Sequence, residues 1–214
     1  MRASAVIFDL DGVLLDTVPA HFAAWRETFE TYGYGVDEAA DRESVDGRLV
    51  ADGARAVMTA ATPEEIAEAV ALKERLYRAR VDAGQFEVFA DAREAVARLG
   101  RRGVPMAVAS SSSLAAHLVA LCGLAPCMGA IVGGGDVVHG KPAPDAFLLA
   151  ARRLGLPPRS CLVVEDSVPG LAAARAGGFL AVGLPRSPDA TPLDGADRVI
   201  ASLSELDVPD GDPS

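Results

Sequence analysis

Six short apolar runs, rich in Val, Ile and Ala, recur along the chain: SAVIFDL (4–10), VPMAVAS (104–110), GAIVGG (129–134), CLVVED (161–166), FLAVGL (179–184) and DRVIAS (197–202). None alternates cleanly between apolar and polar residues, so each is expected to be a strand covered on both faces. Helical stretches at roughly 90–100, 113–122, 144–154 and 168–176 separate them. Strands alternating with helices restrict the chain to the α/β class, with a parallel sheet and right-handed crossovers.

One interval breaks the alternation. Between about 17 and 84 only helical patterns occur. TPEEIAEAVALKERLYRARV (62–81) opens with Thr62 as N-cap, Pro63 at the first helical position and Glu65 completing a capping box. An all-helical insertion directly after the first strand divides the chain into a core, 1–16 plus 85–214, and a helical cap, 17–84. The tail DVPDGDPS is expected to fray.

With 214 residues, half of them hydrophobic, the chain can bury a full core. No apolar run approaches the roughly 20 residues that span a membrane. The N-terminus, MRASAVIFDL, lacks the apolar segment and cleavage site of a signal peptide. The expectation is a cytoplasmic protein with no membrane partner. A net charge of −10 argues against nucleic acid as a partner, because that requires a basic face. Cys122, Cys127 and Cys161 show no zinc spacing and are expected to be buried thiols.

In a parallel α/β sheet, ligands bind at the carboxyl ends of the strands. Three of the runs end in acids or hydroxyls: Asp9 and Asp11, Ser110 to Ser113, and Glu165 with Asp166. Asp11-Gly12 alone could be an acidic turn. It is not a calcium loop of the EF-hand type, because the sixth position would be Leu14 and the twelfth Ala20. On an extended chain, residues two apart point to one side, so both carboxylates can face one ligand, as a nucleophile and an acid/base around a cation. Glu165 and Asp166 could start a helix at its positive dipole end. They could equally supply oxygen ligands to a hard cation such as Mg²⁺. Lys141, before Pro142, could be an ordinary solvated lysine or the fixed cation that a site crowded with anions needs. Ser112 or Ser113 is expected to cap the following helix, whose N-terminus behind a hydroxyl can receive an anion. Further back, Ile66, Val70, Lys73 and Tyr77 share one helical stripe, and His21 and Trp25 share another.

DLDGVLLDT, a Ser at the end of the second run, a Lys before Pro and EDS occur here in an order and spacing that resemble the haloacid dehalogenase superfamily of phosphotransferases. The resemblance spans about residues 5 to 184 and implies a Rossmann-like core with a helical C1 cap. DTVPAHFAAWRE and GKPAPDAF are most similar to its beta-phosphoglucomutase branch. It implies that Asp9 takes the phosphoryl group and that Asp11 is the general acid/base, its main-chain carbonyl also holding Mg²⁺. It implies that Ser110, Ser111 and Lys141 hold phosphoryl oxygens, and that Glu165 and Asp166 complete the Mg²⁺ site with Asp9. Thr17, His21, Trp25, Arg48 and Lys73 would belong to the hinge or the cap side of the substrate.

The physics is consistent with these roles. A carboxylate attacking a phosphate meets like charge. Two unit charges 4 Å apart at an effective dielectric near 20 repel by about 4 kcal/mol, roughly three decades of rate. Mg²⁺ and Lys141 would offset that repulsion.

Departures from the branch narrow the activity. Where its cap loop carries an arginine for the distal phosphate, this chain has Val50, with Arg48 two residues earlier; where it has Lys-Asn after the serines, this chain has Ser113-Leu114. The expectation is a Mg²⁺-dependent monomeric phosphatase of a small sugar or polyol phosphate, with a beta-phosphoglucomutase as the alternative. Receiver domains of signalling proteins also combine an acid pair, a Ser or Thr, a Lys and a phosphorylated Asp. The helical insertion and the acid two residues after the nucleophile argue against one here.

Overall fold

The computed structural model describes residues 3–35, 45, 47–186 and 192–208. All six expected strands form, each shorter than its apolar run: β1 Ala5–Phe8, β4 Met106–Ala109, β5 Ala130–Val132, β6 Cys161–Glu165, β7 Leu180–Gly183 and β8 Arg198–Val199. They make one parallel sheet in the order β5-β4-β1-β6-β7-β8. The chain therefore builds outward from β1 in one direction and then in the other, and the crevice at such a reversal is where open α/β sheets bind ligands.

Side-chain alternation along the strands makes two cores. Val6 and Phe8 of β1, Val108 of β4 and Val164 of β6 pack with Ala95 and Leu99 of α4 (Ala90–Arg101) and Leu118 of α5 (Ala115–Leu121). Ala5, Ile7, Ala107 and Val163 point to the other face, against Phe147 and Ala150 of α6 (Asp145–Leu154) and Leu171 of α7 (Val168–Ala176). Burial on both faces is why these runs are continuously apolar. The edge strand β8 is the exception, since both of its residues are exposed.

Between β1 and α4, the described residues form α1 (Val18–Thr31), α2 (Val50–Val57) and α3 (Pro63–Asp82). Trp25, Phe29, Met58, Ile66 and Ala69 give them a hydrophobic cluster of their own. The capping box of α3 forms as expected: the Glu65 N–H donates to Thr62 Oγ1 at 3.2 Å, and the Thr62 N–H donates to Glu65 Oε2 at 2.8 Å. Residues 36–44 and 46 of the expected cap lie outside the described residues.

The segment is joined to the sheet through a two-stranded antiparallel ribbon, β2 (Leu15–Asp16) with β3 (Glu87–Val88), in which Leu15 pairs with Val88 and Asp16 with Glu87. This ribbon was not expected from the sequence, because two-residue strands carry no readable period. Other expectations are corrected as well. The helix after the serines starts at Ala115, with Leu114 rather than Ser112 or Ser113 at its cap position. Cys127 is exposed, while Cys122 and Cys161 are buried. At the head of the tail, Val208 is buried and its carbonyl accepts from Arg102, so residues 207 and 208 are anchored. The rest of the tail, 209–214, lies outside the described residues. No helix among the described residues is long and apolar enough to cross a membrane.

Candidate active site

Asp9, Ser110 and Asp166 immediately follow or end the three central strands β1, β4 and β6, so the sheet alone sets them side by side. They line one cleft together with Asp11, His21, Trp25, Arg48, Lys73, Ser111 and Lys141.

Lys141 is the buried centre of this cleft. Its Nζ donates to Asp9 Oδ1 at 2.5 Å and to Glu165 Oε1. Burial would push its pKa down, but the charges of Asp9 and Glu165 outweigh burial and hold the ammonium well above the usual lysine range. Asp9 moves upward. Burial is the largest cause, Lys141 opposes it, and the carboxylates of Glu165 and Asp11 add to it. Glu165 is wholly buried, and its second oxygen, Oε2, accepts from the main-chain N–H of Ser167 at 2.8 Å and its hydroxyl at 2.9 Å. The Ser167 hydroxyl in turn caps α7 by accepting from the Gly170 N–H at 3.2 Å. A Cβ at position 170 would overlap the Glu165 carboxylate, which explains the glycine in VPG.

Asp11 sits on a tight turn in which the Gly12 N–H donates to the Leu15 carbonyl at 2.8 Å. Thr17 donates to Asp11 Oδ1 at 2.6 Å, Tyr77 donates to the same oxygen at 3.4 Å, and Ser110 donates to Oδ2 at 2.9 Å. His21 Nε2 stands 3.4 Å from Oδ1. Burial works to raise Asp11, but the contacts of His21, Thr17 and Ser110 outweigh it and hold the carboxyl well below the usual range. Thr17 occupies the N-cap position of α1 without capping it, because its hydroxyl goes to Asp11.

The cap-side residues pack as a stack. The rings of His21 and Tyr77 lie 3.8 Å apart, and Lys73 Nζ is 4.7 Å from the Tyr77 ring centre and 5.2 Å from that of Trp25. Lys73 is buried at 3% exposure, so the lysine of the α3 stripe faces the cleft and does not snorkel to solvent. Arg48 is exposed but lines the cleft, and Val18, Val45 and Val50 make its apolar wall. Ser111 also lines the cleft, yet its hydroxyl donates to the Gly47 carbonyl at 2.6 Å and so ties the sheet to the loop before α2. Ser113 is exposed and takes no part.

Two contributors were not singled out from the sequence. Tyr77 was part of the α3 stripe, one turn beyond Lys73, and that spacing could have marked it. Ser167 directly follows Glu165 and Asp166, and its place at a helix start was the available signal.

A cation site is chemically consistent with these residues. Asp9, Glu165 and Asp166 each offer a carboxylate oxygen, all within 4.8 Å of one another. An all-oxygen, acid-rich donor set suits a hard divalent ion such as Mg²⁺. A Cβ at Gly12 would overlap the Asp166 carboxylate, so the glycine of the Asp-Gly pair leaves room for that carboxylate.

Residues 3–178 match the profile of the haloacid dehalogenase-like hydrolases. The chain belongs to that family. It is 35% identical to fructose-1-phosphate phosphatase YqaB of Escherichia coli K12, covering 85% of this chain and 96% of that one. It is 32% identical to a beta-phosphoglucomutase of Mycobacterium bovis, covering 96% and 92%. The crystal structure of CbbY from Rhodobacter sphaeroides in complex with phosphate superposes with a TM-score of 0.84 at 28% identity, covering 96% of both chains.

Proposed function

We propose that this protein is a Mg²⁺-dependent phosphatase that hydrolyses a small sugar or polyol monophosphate through an aspartyl-phosphate on Asp9. One observation carries the choice of hydrolase over mutase. The wall facing the buried acids is built from Val18, Trp25, Val45 and Val50, and Lys73, which shares its donors with His21, can add a hydrogen bond to a substrate hydroxyl but does not supply a phosphate pocket. That leaves Arg48 as the cap-side cation suited to a second phosphate among the described lining residues. A hydrolase must hold one phosphate, whereas a mutase must hold a bisphosphate in two orientations.

Asp9 and Asp166 would hold Mg²⁺ with the main-chain carbonyl of Asp11. Glu165 stands in the same acidic group, but its oxygens are given to Lys141 and Ser167, so its part here is to fix the lysine. When bound, the cation supplies positive charge that offsets repulsion between Asp9 and the phosphoryl oxygens.

Lys141 and Ser110 would bind those oxygens and align phosphorus with Asp9. An Asp9 oxygen attacks phosphorus and the bond to the substrate alcohol breaks, with Asp11 giving its proton to the leaving oxygen. Asp11 then takes a proton from water, which attacks the same phosphorus and releases phosphate, regenerating Asp9. The resting network holds Asp11 as a carboxylate. A phosphate dianion beside it adds like charge and draws the Ser110 hydroxyl away, and both changes raise Asp11 toward the range in which it can donate. The helices α1, α2 and α3 act as the cap that closes over the substrate and excludes bulk water.

Similarity to a beta-phosphoglucomutase and the presence of Arg48 in the cleft favour the mutase as the second reading. One assay separates them. The protein is incubated with β-glucose 1-phosphate and a glucose bisphosphate primer, and with fructose 1-phosphate in parallel, while glucose 6-phosphate and free phosphate are followed. Phosphate release outpacing isomerisation supports the phosphatase. Rapid isomerisation with little free phosphate overturns it.

A further inference from the structure

Far from the reacting atoms in sequence, Arg186 reaches the base of the ribbon that joins cap to sheet. Its Nη1 donates to both oxygens of Asp91, at 2.9 and 2.8 Å. Its Nη2 donates to the main-chain carbonyl of Val13 at 2.5 Å. Its guanidinium carbon lies 3.9 Å from the ring centre of Phe89. Asp91 is fixed from a third direction, because Oδ2 also accepts from the Ser202 hydroxyl and the Leu203 N–H, both at 2.9 Å. A planar, forked cation can hold a carboxylate, a carbonyl and an aromatic face together, which an ammonium cannot.

The residues held in this way matter. Val13 is fully buried and lies two residues after Asp11, inside the turn that presents it. Leu10, at the start of that turn, accepts from the N–H groups of Val13, Leu14 and Leu15, and the Val13 carbonyl is turned to Arg186. Phe89 directly follows β3, and its N–H donates to the Leu14 carbonyl at 3.1 Å. One side chain thus grips the outgoing strand just before the ribbon and the returning strand just after it.

We propose that Arg186 is a positioning residue: by clamping Val13, Phe89 and Asp91 it fixes both roots of the cap hinge and, through the turn, the placement of Asp11. Without it, the turn keeps its sequence but loses its outer support, and the proton donor wanders relative to the leaving oxygen. The expected kinetic signature rests on the phosphatase reading above, whereas the structural signature does not.

Arg186→Met and wild type are compared by native-state hydrogen exchange. The amides of Gly12 and Phe89 should exchange about ten-fold faster or more in the variant, while those of β5 are unchanged. The two proteins are then assayed on fructose 1-phosphate and p-nitrophenyl phosphate. kcat/KM reports the steps through departure of the alcohol. It should fall about ten-fold or more for the sugar phosphate, whose leaving oxygen needs a proton, and within about two-fold for the nitrophenyl ester, whose leaving group does not. Unchanged exchange at Gly12 and Phe89 overturns the proposal, as does an equal loss of kcat/KM on both esters. A wild type that hydrolyses neither ester refutes the phosphatase reading, and exchange alone then decides the role of Arg186. If Arg186→Met does not fold, Asp91→Asn removes the carboxylate from the same clamp, and the same exchange pattern at smaller amplitude is expected. Its absence is equally fatal.

Discussion

Lys73 Nζ lies 3.0 Å from His21 Nδ1, and this contact fixes the imidazole's tautomer. An ammonium can only donate, so Nδ1 accepts and the ring proton sits on Nε2, directed at Asp11 Oδ1 3.4 Å away. Burial and then the charge of Lys73 hold His21 below 6.5, so the ring is neutral at pH 7 and passes the orientation of Lys73 on to Asp11. Lys73→Ala should therefore raise KM or lower kcat for sugar phosphates. A charge-assisted contact is worth about 1.5–3 kcal/mol, or about one to two decades. On the proposed function the lysine meets the unreactive part of the substrate, so the loss on p-nitrophenyl phosphate should be smaller. Equal losses on the two esters would place Lys73 outside substrate selection.

Asp9→Asn should remove turnover by several decades on every phosphate ester while leaving the thermal midpoint near that of the wild type, since the change is nearly isosteric. Steady-state phosphate release and a melting curve on one preparation check both halves. Substantial turnover in a clean sample would rule out the aspartyl-phosphate.

Cys127 is the exposed thiol of the three. Burial pushes Cys161 up to about 11 and moves Cys122 upward as well. A chromogenic disulfide reagent at pH 8 should react promptly with one thiol in the native protein and with three after denaturation. Rapid reaction of two or three native thiols would contradict this packing.

Burial works to raise Asp91, but the hydrogen bonds from Arg186, the Leu203 N–H and Ser202 outweigh it, so its folded value lies below 3.8. A carboxylate depressed on folding contributes stability above its unfolded value and loses it as pH falls through the folded one. Asp91→Asn should lower stability at pH 7 and flatten its decline below about pH 4. Urea unfolding at a series of pH values measures this. An unchanged acid slope would mean that Asp91 does not titrate across folding.

The sheet was legible because β1, β4 and β6 are buried on both faces and so read as unbroken apolar runs. The acids after β1 and at the end of β6 were legible for the same reason, since a charge where a buried strand stops needs a cause. Strand order was not, because β1 lies between β4 and β6 only after the chain reverses its direction of growth. The contact from Arg186 to Val13 joins residues 173 apart and leaves no periodic trace. Ser112 was misread as a helix cap because its hydroxyl accepts from Leu114 two residues on, a local turn that looks identical in sequence. Glu165 could be placed at the site from sequence, but its engagement by both Lys141 and Ser167 required the fold.

Asp16 and Glu87 face each other across the ribbon. The chain that departs at one returns beside it at the other, so the path into and out of α1, α2 and α3 runs through this one ribbon. On the proposed reading, most residues that would meet the substrate's unreactive part lie between the two ribbon strands in the chain, and the acids that would react lie outside them. The first set can drift at Trp25, Arg48 and Lys73 while Asp9 and Asp166 stay at the ends of β1 and β6 and Lys141 on the loop before α6.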